Sequence, residues 1–287
     1  MIKSMTGFGK SVVQVPGKKI TIEIKSLNSK NLDLNARIPS TYREKELALR
    51  NMVAKELERG KVDVSLYLES TGQNTNTIIN ESVVLAYSQQ LQEVTPGGME
   101  NAEAVKIAMR LPDVLKTEKE ELDENEYQSI VTNLQAALKE INAYRLDEGN
   151  SLKSEFELRI ANLQRLLSEV ITLDVDRIKD VKTRLQKAVV DLKAELDENR
   201  FEQELIYYLE KYDITEEKVR LKNHLDYFTT SLNSADSNGK KLGFIGQEIG
   251  REINTIGSKS NYAPMQQLVV QMKDELEKIK EQVLNVL

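Results

Sequence analysis

The 287-residue chain contains no cysteine and no tryptophan, and aromatic residues make up only 5% of it. The absence of cysteine excludes disulfides, a thiol nucleophile and any metal site built on cysteine. No stretch approaches the roughly 18 consecutive apolar residues of a membrane-spanning helix, and the N-terminus lacks the apolar segment of a secretion signal. We therefore expect a cytoplasmic protein without a membrane partner.

Charge, in contrast, is abundant and unevenly distributed. Charged residues make up 30% of the chain, and the formal net charge is −6. Basic residues outnumber acidic ones by five over residues 1–69, whereas acidic residues outnumber basic ones by eleven over residues 70–210. The N-terminal part can therefore approach a polyanion that the middle repels. This asymmetry permits a phosphate-bearing ligand without identifying one.

The N-terminal part has the alternating pattern of β-strands. Apolar and polar residues alternate over 20–24 and again over 62–68, which predicts strands with one buried face. Pro16-Gly17 is a turn signal, so strands over 1–15 and 19–27 are expected to form a hairpin.

A helix is predicted between these strands and the strand at 62–68. It begins near Thr41, where Glu44 completes a capping-box pattern, and stops at Gly60. Two glycines in the sequence SMTGFG predict a bulge or a close contact in the first strand. Strand, strand, helix and strand together predict a small α+β domain over residues 1–78.

The middle of the chain, residues 79–210, reads as a helical scaffold. Apolar residues recur at steps of three and four from 152 to 170 and from 178 to 196, with a break near 172–174. Two long helices with narrow apolar stripes predict a hairpin or a coiled-coil arm. The fold class expected is therefore α+β but predominantly helical, with a further helical domain over residues 211–287.

Residues 240–260 form the most distinctive stretch of the chain. Leu242 and four isoleucines draw one apolar stripe down a helix. Gly243, Gly246 and Gly250 line the opposite flank, which predicts close approach by a neighbouring element because each interior glycine costs roughly 1 kcal/mol. Gly257 is predicted to end this helix.

Charged side chains lie beside that stripe. Glu248 and Glu252, four residues apart, can together hold a hard divalent cation such as Mg²⁺ or Mn²⁺. Arg251 and Lys259 can then bind a phosphate. The alternative is a solvated helix face with ordinary Glu–Arg pairing.

His224, the only histidine, shares a predicted helix face with Glu217 and Arg220, either of which can orient or tune it. The alternative is a structural histidine. A polar segment around Asn28 and Lys30 can line a binding surface, or it can be a loop that satisfies its own backbone.

Taken together and in order, several motifs resemble the YicC-like family of bacterial endoribonucleases over the whole chain. They are SMTGFG at 4–9, EIKSLNSKNLDLNARIP at 23–39, RGKV at 59–62, RLDEG at 145–149, DITEE at 213–217, RLKNH at 220–224 and QEIGREINTIGSKS at 247–260. The resemblance implies an RNA-cleaving enzyme that forms a ring-like homohexamer and uses a divalent cation. It does not identify the catalyst.

Two mechanisms follow from the residue chemistry. In one, Glu248 and Glu252 bind the metal, which activates a water, while His224 assists proton transfer and Arg251 and Lys259 clamp the phosphate. In the other, His224 activates the ribose 2′-hydroxyl and a basic residue, Arg220 among them, stabilises the transition state. One histidine cannot supply both acid and base, which favours the metal version.

The substrate is expected to be mainly single-stranded RNA and not DNA. RNA-contacting residues are predicted at both ends of the chain: Arg220, Lys240, Lys241, Asn254, Lys259, Asn28 and Lys30. Scarce aromatics limit base stacking, so backbone and 2′-hydroxyl contacts should dominate. Rival functions are a non-catalytic adaptor that delivers transcripts to another nuclease and a purely structural assembly protein. The sequence contains no glycine-rich phosphate loop of the kind that would indicate a small-molecule enzyme.

Overall fold

A computed structural model of the chain describes residues 2–71, 77–117, 123–191, 198–234 and 239–287. The end of the predicted apolar repeat at 192–196 and the loop at 235–238 lie outside the described residues. The strands are β1 (Gly7–Val15), β2 (Lys18–Leu27), β3 (Leu32–Arg37), β4 (Gly60–Ser70), β5 (Thr77–Ile79) and β6 (Leu115–Thr117). The helices are α1 (Glu46–Leu57), α2 (Glu81–Val94), α3 (Asn101–Ala108), α4 (Glu124–Asp191), α5 (Glu198–Lys211), α6 (Thr215–Leu232), α7 (Gly239–Lys259) and α8 (Ala263–Val283). The predicted class, α+β and predominantly helical, is confirmed.

The N-terminal sheet has the strand order β1-β2-β4-β3. β1 and β2 form the predicted antiparallel hairpin around Gly17, whose φ of 74° suits a glycine turn. β3, which the sequence analysis did not predict, follows the polar segment around Asn28 and Lys30 and pairs with β4 in parallel. Alternation places Ile20, Ile22 and Ile24 on the buried face, and the opposite face of the sheet carries polar and exposed residues.

The buried face of the sheet is covered by two helices. α1 contributes Leu49, Val53 and Leu57, and the first half of α4 contributes residues such as Leu134 and Ile141. The capping box at Thr41 is wrong, because residues Ser40–Lys45 form a 3-10 turn without a side-chain cap and the α-helix starts only at Glu46. The polar spacing was right, but the tighter turn uses it differently.

β1 lies unusually close to α4, as the glycines of SMTGFG predicted. A Cβ on Gly9 would overlap the carbonyl oxygen of Ala137, and one on Gly7 would lie 2.9 Å from the side chain of Ile141. Only glycine allows the strand backbone to approach the helix in this way.

α4 runs without interruption from residue 124 to 191, so the predicted break near 172–174 is wrong. Thr172, Leu173 and Asp174 include no helix breaker, and Asp174 is buried in ion pairs with Arg177 (2.8 Å) and Lys218 (2.7 Å). α5 forms the second arm of the hairpin. Just after its C-terminal end, the carbonyl of Tyr212 accepts a hydrogen bond from Arg177 of α4 at 3.0 Å.

The second half of α4 packs against α6 and α8, and α7 packs between α6 and α8. Their shared core includes the whole apolar stripe of α7 and the regular stripe of α8, which begins at Met265. The apolar stripe of α8 is used for packing within this bundle. None of the described helices combines the length and apolarity needed to cross a membrane.

The N-terminal segment joins the two cores. Ser4 forms a β-bridge with Val286, and the amide of Met5 donates to the carbonyl of Asn285 at 2.8 Å. Ile2 belongs to the core of the bundle, whereas β1 begins only five residues later. A small separate cluster is formed by α2 and α3. The division of the chain at residues 78 and 210 stays a prediction.

Candidate functional site

The predicted site residues of the C-terminal region lie on the antiparallel hairpin of α6 and α7. Two contacts define its register. Glu217 near the start of α6 pairs with Lys259 at the end of α7 at 2.7 Å, and Lys241 near the start of α7 lies 5.2 Å from the ring of Tyr227 near the end of α6.

Both helices rise by the same distance per residue, so each contact gives its own level for the residues between them. The contact at Lys259 places His224 level with Glu252, and the contact at Lys241 places it level with Phe244. The structure thus brings His224, Arg220, Glu248 and Glu252 into the same part of one hairpin. This face is not sealed inside the subunit, because Glu248 is partly exposed and Arg251 is exposed.

Glu252 is the most unusual of these residues. Its side chain is only 8% exposed, yet no described residue donates a hydrogen bond to it or forms an ion pair with it. Its carboxylate oxygens are not among the enclosed side-chain atoms that lack a partner, so they reach the surface although the rest of the side chain is buried. It is therefore a group that an external cation or donor can stabilise.

Glu248, one turn earlier, has a partner. Arg251 pairs with it at 2.9 Å, so the ordinary Glu–Arg pairing that the sequence left as an alternative is present for this residue. The pair is exposed, and exposed pairs contribute little stability and exchange readily. Glu248 and Arg251 therefore remain accessible to a ligand.

His224 is half-buried and makes no hydrogen bond with the described residues. Neither predicted neighbour contacts it. Arg220 pairs with Glu216 at 2.5 Å, and Glu217 pairs with Lys259. The imidazole is thus held by packing on α6, and its two nitrogens are not committed within the described structure.

Lys259 anchors the end of the hairpin. Its ammonium donates to Glu217 at 2.7 Å and to the carbonyl of Asp213 at 2.9 Å, which partly neutralises the charge that the sequence assigned to phosphate binding. The second carboxylate oxygen of Glu217 is buried without a partner. Hydrogen bonds from Thr215, aided by the charges of Lys218 and Lys259, lower the pKa of Asp213 despite partial burial.

Of the three glycines of α7 that were predicted to allow close approach, Gly250 does so and Gly243 and Gly246 do not. A Cβ on Gly250 would lie 3.2 Å from Leu276, and one on Gly257 would lie 3.0 Å from Val269, both on α8. Gly243 leaves ordinary contact distance, and Gly246 faces open space. The prediction that Gly257 ends the helix is wrong, because α7 continues to Lys259. This glycine instead packs against α8.

The remaining predicted RNA contacts are spread over a larger distance. Lys240 and Asn254 are exposed on α7, and Lys241 is half-buried against Tyr227. Asn28 and Lys30 are exposed in the loop between β2 and β3. The start of α7 adjoins Val286, so Lys240 lies towards the N-terminal unit while Glu252 lies farther along the helix.

The fit to a metal ion is limited to two carboxylates. Among the described residues, no group of three or more histidine, aspartate or glutamate side chains is arranged to hold a metal. Mg²⁺ is commonly bound through one or two carboxylates, with water and substrate phosphates completing its shell. Glu248 and Glu252 fit a site of that kind.

Sequence reasoning missed a cleft of about 510 Å³ at the junction of the N-terminal sheet with α4. We call it the junction cleft; it is lined by Thr6, Gly7, Phe8, Lys25, Ser26, Leu27, Asp63, Tyr144 and Glu148. In SMTGFG the glycines attracted attention, but Phe8 between them points away from α4, into the cleft. The alternation of side chains along a strand indicates this direction, because Phe8 must face opposite to Gly7 and Gly9.

Arg145 lies behind the junction cleft and is 1% exposed. Its Nη2 donates to Ser26 and, at 3.3 Å, to the carbonyl of Met5, while its Nε is buried without a partner. Burial lowers the pKa of Arg145. No carboxylate among the described residues pairs with this guanidinium.

Comparison with known proteins bears on the whole chain. Residues 2–154 match the family described as "Endoribonuclease YicC-like, N-terminal region", and residues 170–287 match "Endoribonuclease YicC-like, C-terminal". The chain is 32% identical over 293 aligned positions to a Clostridioides difficile protein named "Probable endoribonuclease YicC". It is 30% identical over 287 positions to a Haemophilus influenzae protein of the same name. Both alignments cover 100% of each chain. With both halves matched and the relatives aligned from end to end, the chain belongs to the YicC-like endoribonuclease family.

Proposed function

We propose that the protein is a cytoplasmic endoribonuclease that cleaves mainly single-stranded RNA at the face formed by α6 and α7. Family membership and the names of its relatives support RNA cleavage. The single observation that carries the site is Glu252, whose largely buried side chain brings a carboxylate to the surface with no partner among the described residues, one turn from the accessible Glu248. Such a group is stabilised when a cation or a protonated donor arrives with the substrate.

Glu248 and Glu252 are the residues that would hold a divalent cation, which supplies charge neutralisation at the scissile phosphate and acidifies a bound water. Arg251 can leave its exposed pair with Glu248 and bind a phosphate oxygen, and Arg220 can act similarly from α6. Arginine suits this role because its planar guanidinium binds phosphate in a bidentate manner. Lys259 acts from farther along the hairpin, where Glu217 and Asp213 already hold it.

His224 is the residue in this face that can transfer a proton near neutral pH. It can take a proton from the attacking group or give one to the leaving oxygen. If it activates the ribose 2′-hydroxyl, the product carries a 2′,3′-cyclic phosphate. If water attacks, no cyclic phosphate forms, so the ends of the product distinguish the two mechanisms.

RNA is held chiefly through its backbone on this face. Lys240 and Asn254 extend the polar surface of α7 to either side of Glu248, and Lys241 adds charge beside Tyr227. Binding through phosphates releases counterions, so affinity should fall as the salt concentration rises.

The test incubates purified protein with end-labelled single-stranded RNA, with and without Mn²⁺, beside DNA of the same sequence. Glu252→Gln and Glu248→Gln are compared with Glu277→Gln, which alters an exposed glutamate on α8 outside this face. We expect wild type and Glu277→Gln to cut RNA and leave DNA intact, and the other two variants to cut far more slowly. Intact RNA with wild type would contradict the enzyme proposal, and equal cutting by Glu252→Gln would contradict the site.

A non-catalytic RNA-binding adaptor is the second candidate. The observation that favours it is the lack of a three-ligand metal cluster among the described residues. In the same experiment the adaptor would retain RNA uncut in every lane, and Glu252→Gln would bind RNA as wild type does.

We also propose that the chain assembles as a homohexamer. Large apolar side chains are exposed along the α4–α5 hairpin, as a subunit contact would require: Val175, Ile178, Ile206 and Tyr207. The number six comes from the family resemblance. Light scattering coupled to size-exclusion chromatography should give six times the chain mass of 32.7 kDa, and a monomer at micromolar concentration would contradict the proposal.

A further inference from the structure

The junction cleft has the size and position of a binding site. Its volume of about 510 Å³ falls in the range of small-ligand pockets. One wall comes from β1, β2 and β4 and the other from α4, so the cleft opens where the N-terminal sheet meets the helix that continues into the bundle. The loop that carries Asn28 and Lys30 begins directly after Leu27, which lines the cleft.

Two aromatic rings line the cleft. Phe8 on β1 is 38% exposed and Tyr144 on α4 is 51% exposed. Exposed aromatic rings are the side chains on which unpaired bases stack. The ammonium of Lys25 lies 5.7 Å from the centre of the Phe8 ring, which places a cation beside the stacking surface.

Two carboxylates in the cleft each keep one oxygen available. Asp63 accepts a hydrogen bond from Asn35 at 2.9 Å through Oδ1, and Glu148 accepts one from Thr6 at 2.7 Å through Oε2. The other oxygen of each accepts no hydrogen bond from the described residues. Free carboxylate oxygens can accept from the amino and imino groups on the edges of bases.

The charge behind the cleft favours an anion. Arg145 is buried there, its hydrogen bonds go to neutral oxygens, and its Nε has no partner. A guanidinium stays protonated in proteins, and a buried charge without a counter-ion attracts one. Lys25 at the rim pairs with Glu23 at 3.6 Å, and an exposed pair of this kind exchanges readily. Its ammonium can therefore turn to a phosphate that approaches on the side of the cleft away from Asp63 and Glu148.

We infer that the junction cleft binds one nucleotide of single-stranded RNA, with its base stacked on Phe8 and Tyr144 and its phosphate towards Lys25. This inference rests on the proposed function and assigns to it a second, non-catalytic RNA contact. Asp63 and Glu148 accept from base N–H groups and repel carbonyl oxygens. Adenine, whose amino group offers two N–H donors, is therefore preferred over uracil, whose single N–H is flanked by two carbonyls.

The test measures fluorescence anisotropy of labelled 12-nucleotide oligo(A) and oligo(U) with the full-length protein. The variants are Phe8→Leu, Tyr144→Leu and Asp63→Asn. The matched control is Tyr67→Leu, which removes an aromatic ring that is 48% exposed and lies on the same sheet face outside the cleft. The three aromatic positions are exposed and Asp63 is half-buried, and thermal melting of each variant checks that it folds as wild type does.

We expect Phe8→Leu and Tyr144→Leu to weaken oligo(A) binding at least about five-fold, the lower end for the loss of one stacked base. Tyr67→Leu should bind as wild type does. Asp63→Asn should narrow the preference for oligo(A) over oligo(U). RNA cleavage at saturating RNA should be unchanged in the two ring variants, because neither residue lies in the α6–α7 face.

The outcomes separate this inference from the proposed function. If wild type cuts RNA but the ring variants bind like Tyr67→Leu, the cleft assignment is overturned and the nuclease assignment stands. If wild type binds RNA without cutting and the ring variants bind more weakly, the cleft assignment stands and the nuclease assignment fails. Loss of binding in Tyr67→Leu equal to that in Phe8→Leu would also overturn the cleft, since the whole sheet face would then be involved.

Discussion

The junction cleft and the face of α6 and α7 differ in almost every property that matters for contact with RNA. The cleft has two exposed aromatic rings and carboxylates with available oxygens. The α6–α7 face has a histidine, two arginines and two glutamates, one of them buried without a partner. The first set suits bases, and the second suits a phosphodiester linkage.

This difference indicates that recognition and cleavage are separable by mutation. Groups that stack on bases stabilise bound RNA equally in the ground state and the transition state, whereas groups at the scissile phosphate act mainly on the transition state. Changes in the cleft should therefore alter affinity, and changes on α7 should alter the rate of cutting.

The largest effect is expected from Glu252→Gln. The substitution preserves shape but removes the negative charge, so we expect the rate of RNA cleavage to fall by about 100-fold or more, with affinity changed less than about two-fold. Single-turnover kinetics at saturating RNA measure the rate, and anisotropy measures affinity. A parallel loss of affinity and rate would remove the contrast between the two surfaces.

Stability should also respond oppositely at glycines of the two regions. A methyl group on Gly9 would overlap backbone atoms of α4, so Gly9→Ala should lower the free energy of unfolding by about 2 to 3 kcal/mol. Gly246 faces open space on α7, so Gly246→Ala should raise it by roughly 1 kcal/mol through helix propensity. Urea denaturation compares the two, and equal effects would show that β1 does not lie against α4 as described.

Salt should sharpen the comparison further. Lys30→Gln and Lys240→Gln each remove one exposed charge, and each should reduce the slope of log affinity against log salt by about one. Phe8→Leu should weaken binding without changing that slope, because stacking releases no counterions. Anisotropy titrations from low to physiological salt test this, and a slope altered by Phe8→Leu would count against a stacking role.

The smallest effect concerns the stability of the α6–α7 hairpin in acid. Hydrogen bonds from Thr215 lower the pKa of Asp213 below its usual 3.8, so its contribution to stability is present above pH 4 and disappears as pH falls through the lowered pKa. Asp213→Asn should therefore destabilise the protein at pH 7 by a fraction of a kcal/mol, since the carboxylate is exposed. Denaturation at pH 7 and pH 3 should show the difference shrinking in acid.

Much of the fold was predictable because its signals are local. The hairpin of β1 and β2, strand β4 and the helices α7 and α8 follow from hydrophobic periodicity. β3 was missed because its six residues follow a polar segment and pair in parallel with β4, a partner distant in sequence. The false break in α4 arose because Asp174 looks like a helix end, whereas its charge is compensated by Arg177 and Lys218, and Lys218 is remote in sequence.

The candidate site was predictable only along one helix. The spacing of Glu248, Arg251 and Glu252 fixed their neighbourhood on α7, and their pairing follows from it. The ion pair between Glu217 and Lys259 depends on how α6 and α7 are aligned, and hydrophobic periodicity does not specify that alignment. The junction cleft combines residues from three strands and α4, so no local pattern in the sequence marks it.

α4 has 68 residues, which corresponds to a rod of roughly 100 Å, and it belongs to both cores. The sheet and the bundle therefore cannot rotate relative to one another unless this rod bends. A rigid strut of this kind holds the junction cleft at a constant offset from the hairpin that carries Glu252. Under the two proposals made above, the base that is bound and the phosphate that is cut therefore stay a constant distance apart in space.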